Sequence, residues 1–346
     1  MILTIAASIF VFGLLVLVHE FGHFITAKMT GMRVDEFAIG FGPKIISRKR
    51  GETVYSLRAI PLGGFNDIAG MDPENNTAGE RGFCEKPVLS RMVVILAGVT
   101  MNFVLPIVLF FAIYATFGVG VPSNEPVIGG IIPGMSAEKA GLQEGDRILR
   151  VNGQTVATWN EFTDKIKIAA PGQDIHLQYE RDEKISEVTV SPVFNEQEKR
   201  SLVGVQGSVD YEPISFAEAF TLAVDRTKEI TTFMINSIVQ LFKEPEQTEN
   251  LAGPIGIVQM LGLVAERGFV PLINFAALLS INLAIINLLP VPVLDGGHFV
   301  NLCIEAIRGK PLGNKTVAYT QRVGIALLLM LMLFATKNDI VRVFFK

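Results

Sequence analysis

Long apolar runs separated by polar segments dominate the hydropathy pattern of this 346-residue chain. About 20 consecutive apolar residues are enough for a helix to cross a bilayer. On that criterion we predict membrane spans at residues 1–28, 92–117, 271–289 and 319–335, the second interrupted by Asn102 and Pro106. The composition agrees, since 49% of the residues are hydrophobic and the mean hydropathy is +0.41. The pattern therefore predicts a polytopic α-helical membrane protein with about four transmembrane helices.

Two stretches between these spans show the shorter period of β-strands. Residues 30–70 alternate apolar and polar positions in short runs broken by Gly and Pro, which predicts a membrane-associated β-hairpin region. A hairpin beside the first span would offer an unpaired edge to an extended peptide. Residues 126–194 mix strand and helix signals and are predicted to form an inserted α+β domain.

Three further segments lie between the α+β domain and the third span. Residues 195–213 are predicted to be a polar connector. Residues 215–243 have apolar positions at helical spacing with charges between them, which predicts an amphipathic helix on or against the membrane, with a short span from about Ile230 as the less favoured alternative. Residues 251–260 contain Gly and Pro and are predicted not to form one regular helix.

The distribution of charge predicts the orientation of the chain in the membrane. Lys and Arg accumulate between residues 28 and 91, which places that loop in the cytoplasm, the N-terminus outside and the α+β domain on the extracytoplasmic side. The first apolar run lacks a basic n-region and a cleavage site, so it is predicted to be retained. Cys84 and Cys303 both lie on the cytoplasmic side, and no disulfide is expected. The net charge of −4 gives no sign of nucleic-acid binding.

The first span carries the pentad HEFGH at residues 19–23. His19 and His23 are four residues apart and project from one face of a helix, the spacing that lets two imidazoles share a zinc ion. Glu20 lies beside them and is suited to take a proton from a zinc-activated water and pass it to a leaving amine. Ionisable groups are costly at membrane depth, which favours a functional role over a chance match.

The third span ends in NLLPVPVLDGGH, residues 287–298, where two prolines break the helix. Backbone groups freed at membrane depth must be buried in protein or face a water-filled cavity. Spans one and three run in the same direction, so Asp295 reaches the depth of the pentad and supplies the third ligand of a catalytic zinc site. Asn287 is predicted to hold substrate or stabilise an oxyanion, with an interhelical hydrogen bond as the alternative. His298 is the less favoured alternative ligand.

A catalytic zinc site that releases an amine is typical of a protease, and two other classes of function remain as alternatives. Buried His, Glu and Asp also mark ion pathways, so a divalent-metal transporter or sensor is one alternative. Alternating access is often built from internal repeats, and the sequence contains no such repeat. A non-catalytic scaffold that binds membrane proteins is the other alternative, but it leaves the intact pentad unexplained.

Several motifs together resemble those of the site-2 protease family of intramembrane zinc metalloproteases, in its bacterial RseP-like branch. They are HEFGH, GFGPKI, PLGGF and NLLPVPVLDGG, with an insert, SAEKAGLQEGDRILRVNG, that resembles a PDZ domain. The resemblance covers almost the whole chain and implies Zn2+ held by His19, His23 and Asp295, with Glu20 as the catalytic residue. It also implies substrate contacts at Asn287, Gly64 and Phe65.

The resemblance further implies a function, a location and a domain arrangement. Members cleave single-span membrane proteins of the anti-sigma-factor or remnant-signal-peptide type, in the inner (plasma) membrane, in regulated intramembrane proteolysis. The PDZ-like domain is expected to bind a substrate or regulator peptide. The chain departs from the family in having one such domain instead of two in tandem, and in reading AGVTMNF where AGPxxNF is common. The predicted domains are an N-terminal membrane half (1–118), the extracytoplasmic PDZ-like domain (126–194), a connector with the amphipathic helix (195–250) and a C-terminal membrane half (251–346).

Overall fold

The computed structural model describes residues 1–71, 78–169, 173–195, 200–244 and 253–345. The chain divides into two compact units. The first, which we call the membrane unit, comprises Met1–Tyr114 and Phe216–Lys346, and the second, the inserted unit, comprises Ala115–Ser215.

The helices, in chain order, are α1 (Ile2–Met29), α2 (Val88–Phe117), α3 (Ser136–Lys139), α4 (Trp159–Lys167), α5 (Phe216–Lys243), α6 (Pro254–Glu266), α7 (Phe269–Leu288), α8 (Asp295–Arg308) and α9 (Asn314–Phe345). The strands are β1 (Val34–Arg50), β2 (Thr53–Ile68), β3 (Val119–Pro122), β4 (Ile128–Ile131), β5 (Arg147–Val151), β6 (Gln154–Thr155), β7 (Ile175–Arg181), β8 (Lys184–Val190), β9 (Val193–Asn195), β10 (Arg200–Leu202), β11 (Val205–Gly207) and β12 (Val209–Glu212).

Four of the described helices, α1, α2, α7 and α9, are long and apolar enough to cross a membrane. The prediction of a membrane protein built from apolar helices is therefore confirmed at that level. Helix α2 continues without a break through both Asn102 and Pro106, where the sequence predicts interruptions. Polar and Pro positions are tolerated in such helices when neighbouring groups satisfy the freed backbone, and Asn102 is fully buried.

The segment after residue 253 corrects one expectation from the sequence. It forms a single helix, α6, instead of a broken segment. Pro254 is tolerated because it occupies the first turn, where its missing N–H has no partner in the helix. The glycines allow close packing: a Cβ on Gly262 would come within 2.7 Å of Oγ1 of Thr4, and one on Gly256 within 2.7 Å of Oδ1 of Asp339. Asp339 also accepts hydrogen bonds from the backbone N–H groups of Gly253 and Gly256 at the start of α6.

Strands β1 and β2 form the predicted hairpin region, and both strands bend back on themselves. Residues 36–39 of β1 therefore pair with 64–67 of β2 on one side and with 54–57 on the other. In the described part of the chain, no strand pairs with the other side of residues 64–67. We call residues 64–67 the edge segment.

An ion-pair cluster holds the hairpin region together beneath the edge segment. Lys44 and Arg58 both contact the Glu36 carboxylate at 2.8 Å, and Ser56 donates a hydrogen bond to it. Burial raises the pKa of Glu36, but the hydrogen bonds from these three residues outweigh burial and lower it to about 2. The Arg58 guanidinium also stacks over the ring of Phe65, 4.8 Å from its centroid.

The inserted unit has the α+β character that its sequence pattern predicts. Four strands form a sheet in the order β6-β5-β7-β8. Its core contains the buried apolar side chains of both sheet and helices, among them Ile128, Ile148, Val151, Phe162, Ile175 and Leu177. His176 lies in β7, where its backbone N–H donates to Oδ1 of Asn152.

The expected polar connector over residues 195–213 is wrong in its described part. Strands β11 and β12 lie there and pair with β4 and β3 respectively. These strands are short, and their partners lie far away in the chain. The local pattern therefore carried too little signal to identify them.

Candidate metal and active site

The pentad of α1 lies on the buried stripe of that helix. Buried residues recur every fourth position along it, at Ala7, Val11, Leu15, His19, His23 and Ala27. Residues four apart share a helix face, so the packing that buries the apolar positions also buries both imidazoles. Each histidine is only 9% exposed.

Two glycines bring α1 and α2 into close contact around the histidines. A Cβ on Gly22 of α1 would lie 2.4 Å from the carbonyl oxygen of Ala97 in α2. A Cβ on Gly98 of α2 would lie 2.4 Å from Nε2 of His23 and 2.9 Å from Cε1 of His19. Any side chain at Gly98 would therefore occupy the space that the imidazole rings fill.

The structure brings His19, His23 and Asp295 together. Nε2 of His19 lies 3.2 Å from Nε2 of His23, and Oδ2 of Asp295 lies 3.2 Å from the first and 3.4 Å from the second. Tetrahedral zinc with bonds of about 2.0–2.1 Å requires ligand atoms about 3.3 Å apart. Among the described residues, these three form the group of ligand atoms close enough to share one ion.

Hydrogen bonds to the other ring nitrogen prepare each imidazole for metal binding. Nδ1 of His23 lies 2.8 Å from the carbonyl oxygen of Val94, so Nδ1 carries the proton and Nε2 is free. Nδ1 of His19 lies 3.1 Å from the Asn102 amide. With that amide oriented so that Oδ1 accepts from Nδ1–H, Oδ1 gains a partner and Nε2 of His19 is also free. Asn102 thus makes an interhelical hydrogen bond, and its partner is a candidate ligand.

Asp295 is the first residue of α8 and follows the break after α7. Tight packing shapes this break, because a Cβ on Gly296 or Gly297 would lie 2.3 Å from a backbone carbonyl oxygen. Val293 has a φ of +94°, a value that is strained for a β-branched residue. The DGG sequence therefore serves two purposes: Asp295 supplies the carboxylate, and the glycines let the chain turn closely enough to deliver it.

Glu20 projects next to this group and is held by the edge segment. Nδ2 of Asn66 lies 2.7 Å from Oε2 of Glu20 and 2.6 Å from its backbone carbonyl oxygen. A Cβ on Gly64 would lie 3.7 Å from Cγ of Glu20. Asn66 is not predictable from the sequence, because no spacing or motif connects it with a residue so distant in the chain.

The remaining predicted residues lie outside the group of three. Asn287 is half-buried in the last turn of α7 and makes no side-chain hydrogen bond within the described part of the chain. His298 lies in α8 and does not belong to the group of shared ligand atoms. Phe65 stacks with Phe41, with ring centroids 6.3 Å apart.

The fold and the site together define a class: a helical membrane protein with two histidines, an aspartate and a neighbouring glutamate gathered between apolar helices. Residues 7–331 match the model of peptidase family M50. The chain belongs to peptidase family M50. This membership decides against the transporter and the non-catalytic scaffold.

Relatives that align with this chain over nearly their whole length support the assignment. The chain is 35% identical over 428 residues to the regulator of sigma-W protease RasP of Bacillus subtilis (strain 168), with 99% of both chains covered. It is 34% identical over 422 residues to the zinc metalloprotease RasP of Geobacillus kaustophilus, covering 99% of this chain and 98% of that one. A PDZ domain of an SdrC-like protein from Listeria monocytogenes aligns with 26% of this chain and 93% of its own, at 18% identity and a TM-score of 0.23.

Proposed function

We propose that this chain hydrolyses peptide bonds within the transmembrane segments of single-span membrane proteins. It is a zinc metalloprotease of the site-2 protease type. The observation that carries the proposal is the triangle of His19, His23 and Asp295 at tetrahedral spacing beside Glu20, on helices apolar enough to lie in a bilayer.

In this proposal His19, His23 and Asp295 hold the zinc ion and leave a fourth position open. When bound, zinc supplies Lewis acidity for the scissile carbonyl and for the attacking water. Glu20 takes the proton from that water and delivers it to the leaving amide nitrogen. The Asn287 side chain, which has no other partner in the described residues, is available to hold the substrate backbone or the developing oxyanion.

The edge segment gives the substrate a place to bind as an extended strand. Proteolysis needs access to the backbone, which a helix denies, and an unpaired strand edge offers hydrogen bonds to an extended peptide. Residues 64–67 lie next to Glu20. Pairing there would place an unwound transmembrane segment beside the catalytic carboxylate, with Gly64 leaving room and Phe65 adding apolar contact.

Substrate class, orientation and the inserted unit complete the proposal. A relative is named as a regulator of sigma-W, which supports substrates of the anti-sigma-factor type, with remnant signal peptides as the other class.

The basic loop after the first span supports a cytoplasmic site and an extracytoplasmic inserted unit in the plasma membrane. We assign the inserted unit to the PDZ type, with a groove for a substrate or regulator peptide.

Cleavage of a tagged single-span substrate by the detergent-purified full chain tests the proposal. Wild type is expected to cut, and Glu20→Gln is expected to keep its zinc and lose cleavage by at least two orders of magnitude, because the proton carrier is gone. Zinc content is measured on both samples by elemental analysis. Absence of zinc from the wild type, or full activity in Glu20→Gln, would contradict the proposed mechanism.

A further inference from the structure

Among the described residues, one group from another part of the chain donates hydrogen bonds to Glu20, the side-chain amide of Asn66. Nδ2 of Asn66 donates to Oε2 of the Glu20 side chain and to the backbone carbonyl oxygen of the same residue. A donor that bridges the backbone and the side chain of one residue fixes the side-chain torsions between them. The Glu20 carboxylate is therefore held in one orientation relative to α1.

The orientation of the Asn66 amide follows from these contacts. Both atoms that Nδ2 contacts are acceptors, so exchanging Oδ1 for Nδ2 would place oxygen against two oxygens. Oδ1 of Asn66 is buried and has no hydrogen-bond partner among the described residues. The contacts to Glu20 alone thus determine which way the amide faces.

The hydrogen bond also distinguishes the two carboxylate oxygens of Glu20. Oε2 is engaged by Asn66, whereas Oε1 makes no hydrogen bond in the described part of the chain. Each carboxylate oxygen has two lone pairs, and a hydrogen bond from a neutral amide makes the oxygen that accepts it less basic. Oε1 keeps both lone pairs free, so we assign it as the oxygen that receives and returns the proton.

The strand geometry connects this contact with the edge segment. Alternate residues of a strand point to the same side, and both Gly64 and Asn66 face Glu20. Phe65 points the other way, against Arg58 and Phe41. The strand that presents its edge to a peptide also holds the carboxylate that would act on it.

We propose that Asn66 is a positioning residue that orients Glu20 and reserves Oε1 for proton transfer. The inference rests on the proposed protease function, since it assigns Asn66 a part in the same reaction. It predicts an effect on the chemical step, with little effect on substrate binding or on folding.

Kinetics of the purified full chain provide the first test. Asn66→Ala is expected to lower kcat about tenfold or more, as part of the roughly 10²–10⁴-fold that general acid–base catalysis contributes. KM, zinc content and Tm are expected to stay close to wild type. Asn66→Gln keeps an amide donor and should recover part of kcat. The matched control is Asn274→Ala, since Asn274 is exposed on α7 and its Nδ2 donates only to Val270 of its own helix.

Unchanged kcat in Asn66→Ala would overturn the proposal. A loss confined to KM, or one that follows a loss of zinc or a fall in Tm, would overturn it as well. Absence of cleavage by the wild type would contradict the protease function itself. A second measurement, which needs no activity, then decides the role of Asn66.

Infrared difference spectra isolate the Glu20 carboxylate for that second measurement. The spectrum of Glu20→Gln is subtracted from the spectrum of the wild type. In the same way, the spectrum of the double variant Glu20→Gln/Asn66→Ala is subtracted from the spectrum of Asn66→Ala. We expect the antisymmetric carboxylate stretch of Glu20 to have a different frequency in the two difference spectra, because Asn66→Ala removes the hydrogen bond to Oε2. The same frequency in both would show that Asn66 does not hold the carboxylate, and would overturn the proposal.

Discussion

At the scale of single residues, the space around the imidazoles matters as much as the ligands themselves. Gly98 of α2 faces both rings, and no other residue type fits there without moving them. Asn102, one turn further along α2, contacts His19 from the same helix. The wall of the candidate metal site is therefore formed by α2, although α2 contributes none of its three ligand atoms.

Gly98→Ala should reduce zinc retention at least tenfold with little loss of secondary structure. The new Cβ would lie 2.4 Å from Nε2 of His23, so the imidazole rings must move away from the positions that tetrahedral zinc requires. Bound zinc per chain, measured by elemental analysis after dialysis against a weak chelator, checks this. Gly13→Ala in α1 is the matched control because nothing lies within 4 Å of its Cβ position. Wild-type zinc content in Gly98→Ala would refute the prediction.

At the scale of elements, the position of Asp295 depends on how α8 is held. Arg91 near the start of α2 makes a two-pronged contact with Glu305 of α8, with N···O distances of 2.6 and 3.0 Å. The two side chains are only 8% and 13% exposed. The ion pair therefore anchors the helix whose first residue is the candidate ligand Asp295.

Glu305→Ala is expected to destabilise the membrane unit by about 3–5 kcal/mol, since it leaves the Arg91 guanidinium buried without its partner. Removing both charges in Arg91→Leu/Glu305→Leu should restore most of that stability. The measurement is denaturant or thermal unfolding of both variants in detergent. Glu229→Ala supplies the comparison: its ion pair with Arg226 is exposed, and its loss should cost no more than about 1 kcal/mol. Equal effects of Glu305→Ala and Glu229→Ala would count against an anchoring role.

At the scale of the whole molecule, the proposed orientation requires the chain to cross the membrane an odd number of times between the hairpin region and the inserted unit. Helix α2 is the membrane-spanning candidate that separates them in the chain. If the basic hairpin region lies in the cytoplasm, as proposed, the inserted unit would be expected on the other side of the membrane. The extracytoplasmic part of a substrate could then contact the inserted unit, while its transmembrane segment reaches the catalytic group near the cytoplasmic side.

Cysteine labelling in intact cells checks this arrangement. A cysteine at Lys184, an exposed position of β8, should react with a membrane-impermeant maleimide when the cells are intact. A cysteine at Arg48, exposed in β1, should react only after the membrane has been opened. The natural residues Cys84 and Cys303 are replaced by Ser in both variants so that only the new thiol reports. Labelling of Arg48→Cys in intact cells would reverse the proposed orientation.

Much of this architecture was predictable because its signals are local. Apolar length predicted the membrane-spanning helices, strand alternation predicted the hairpin region, and the mixture of strand and helix signals predicted an α+β insert. The HEFGH spacing placed two imidazoles on one helix face. Local signals were misleading at α6, where Pro254 begins a helix instead of breaking it, and at β11 and β12, whose partners are distant strands.

The residues around the predicted site required the packed structure. Nothing in the sequence near Asn66 or Arg91 indicates their partners, Glu20 and Glu305, since these contacts depend on how helices and strands cross. The sequence around Gly98 departs from the family pattern and therefore gives little indication of its role. The short distance between its Cβ position and His23 shows that Gly98 leaves room for the imidazole rings.

The sequence by itself determined the class of fold, the family resemblance and the identity of the chemically active groups, because hydropathy, helix period and residue chemistry are properties of short stretches. The tertiary structure alone decided that the three candidate ligand atoms lie 3.2–3.4 Å apart, which glycines make room for them, and which amide holds Glu20. Those are distances between segments far apart in the chain, and they follow from the packing of the whole membrane unit.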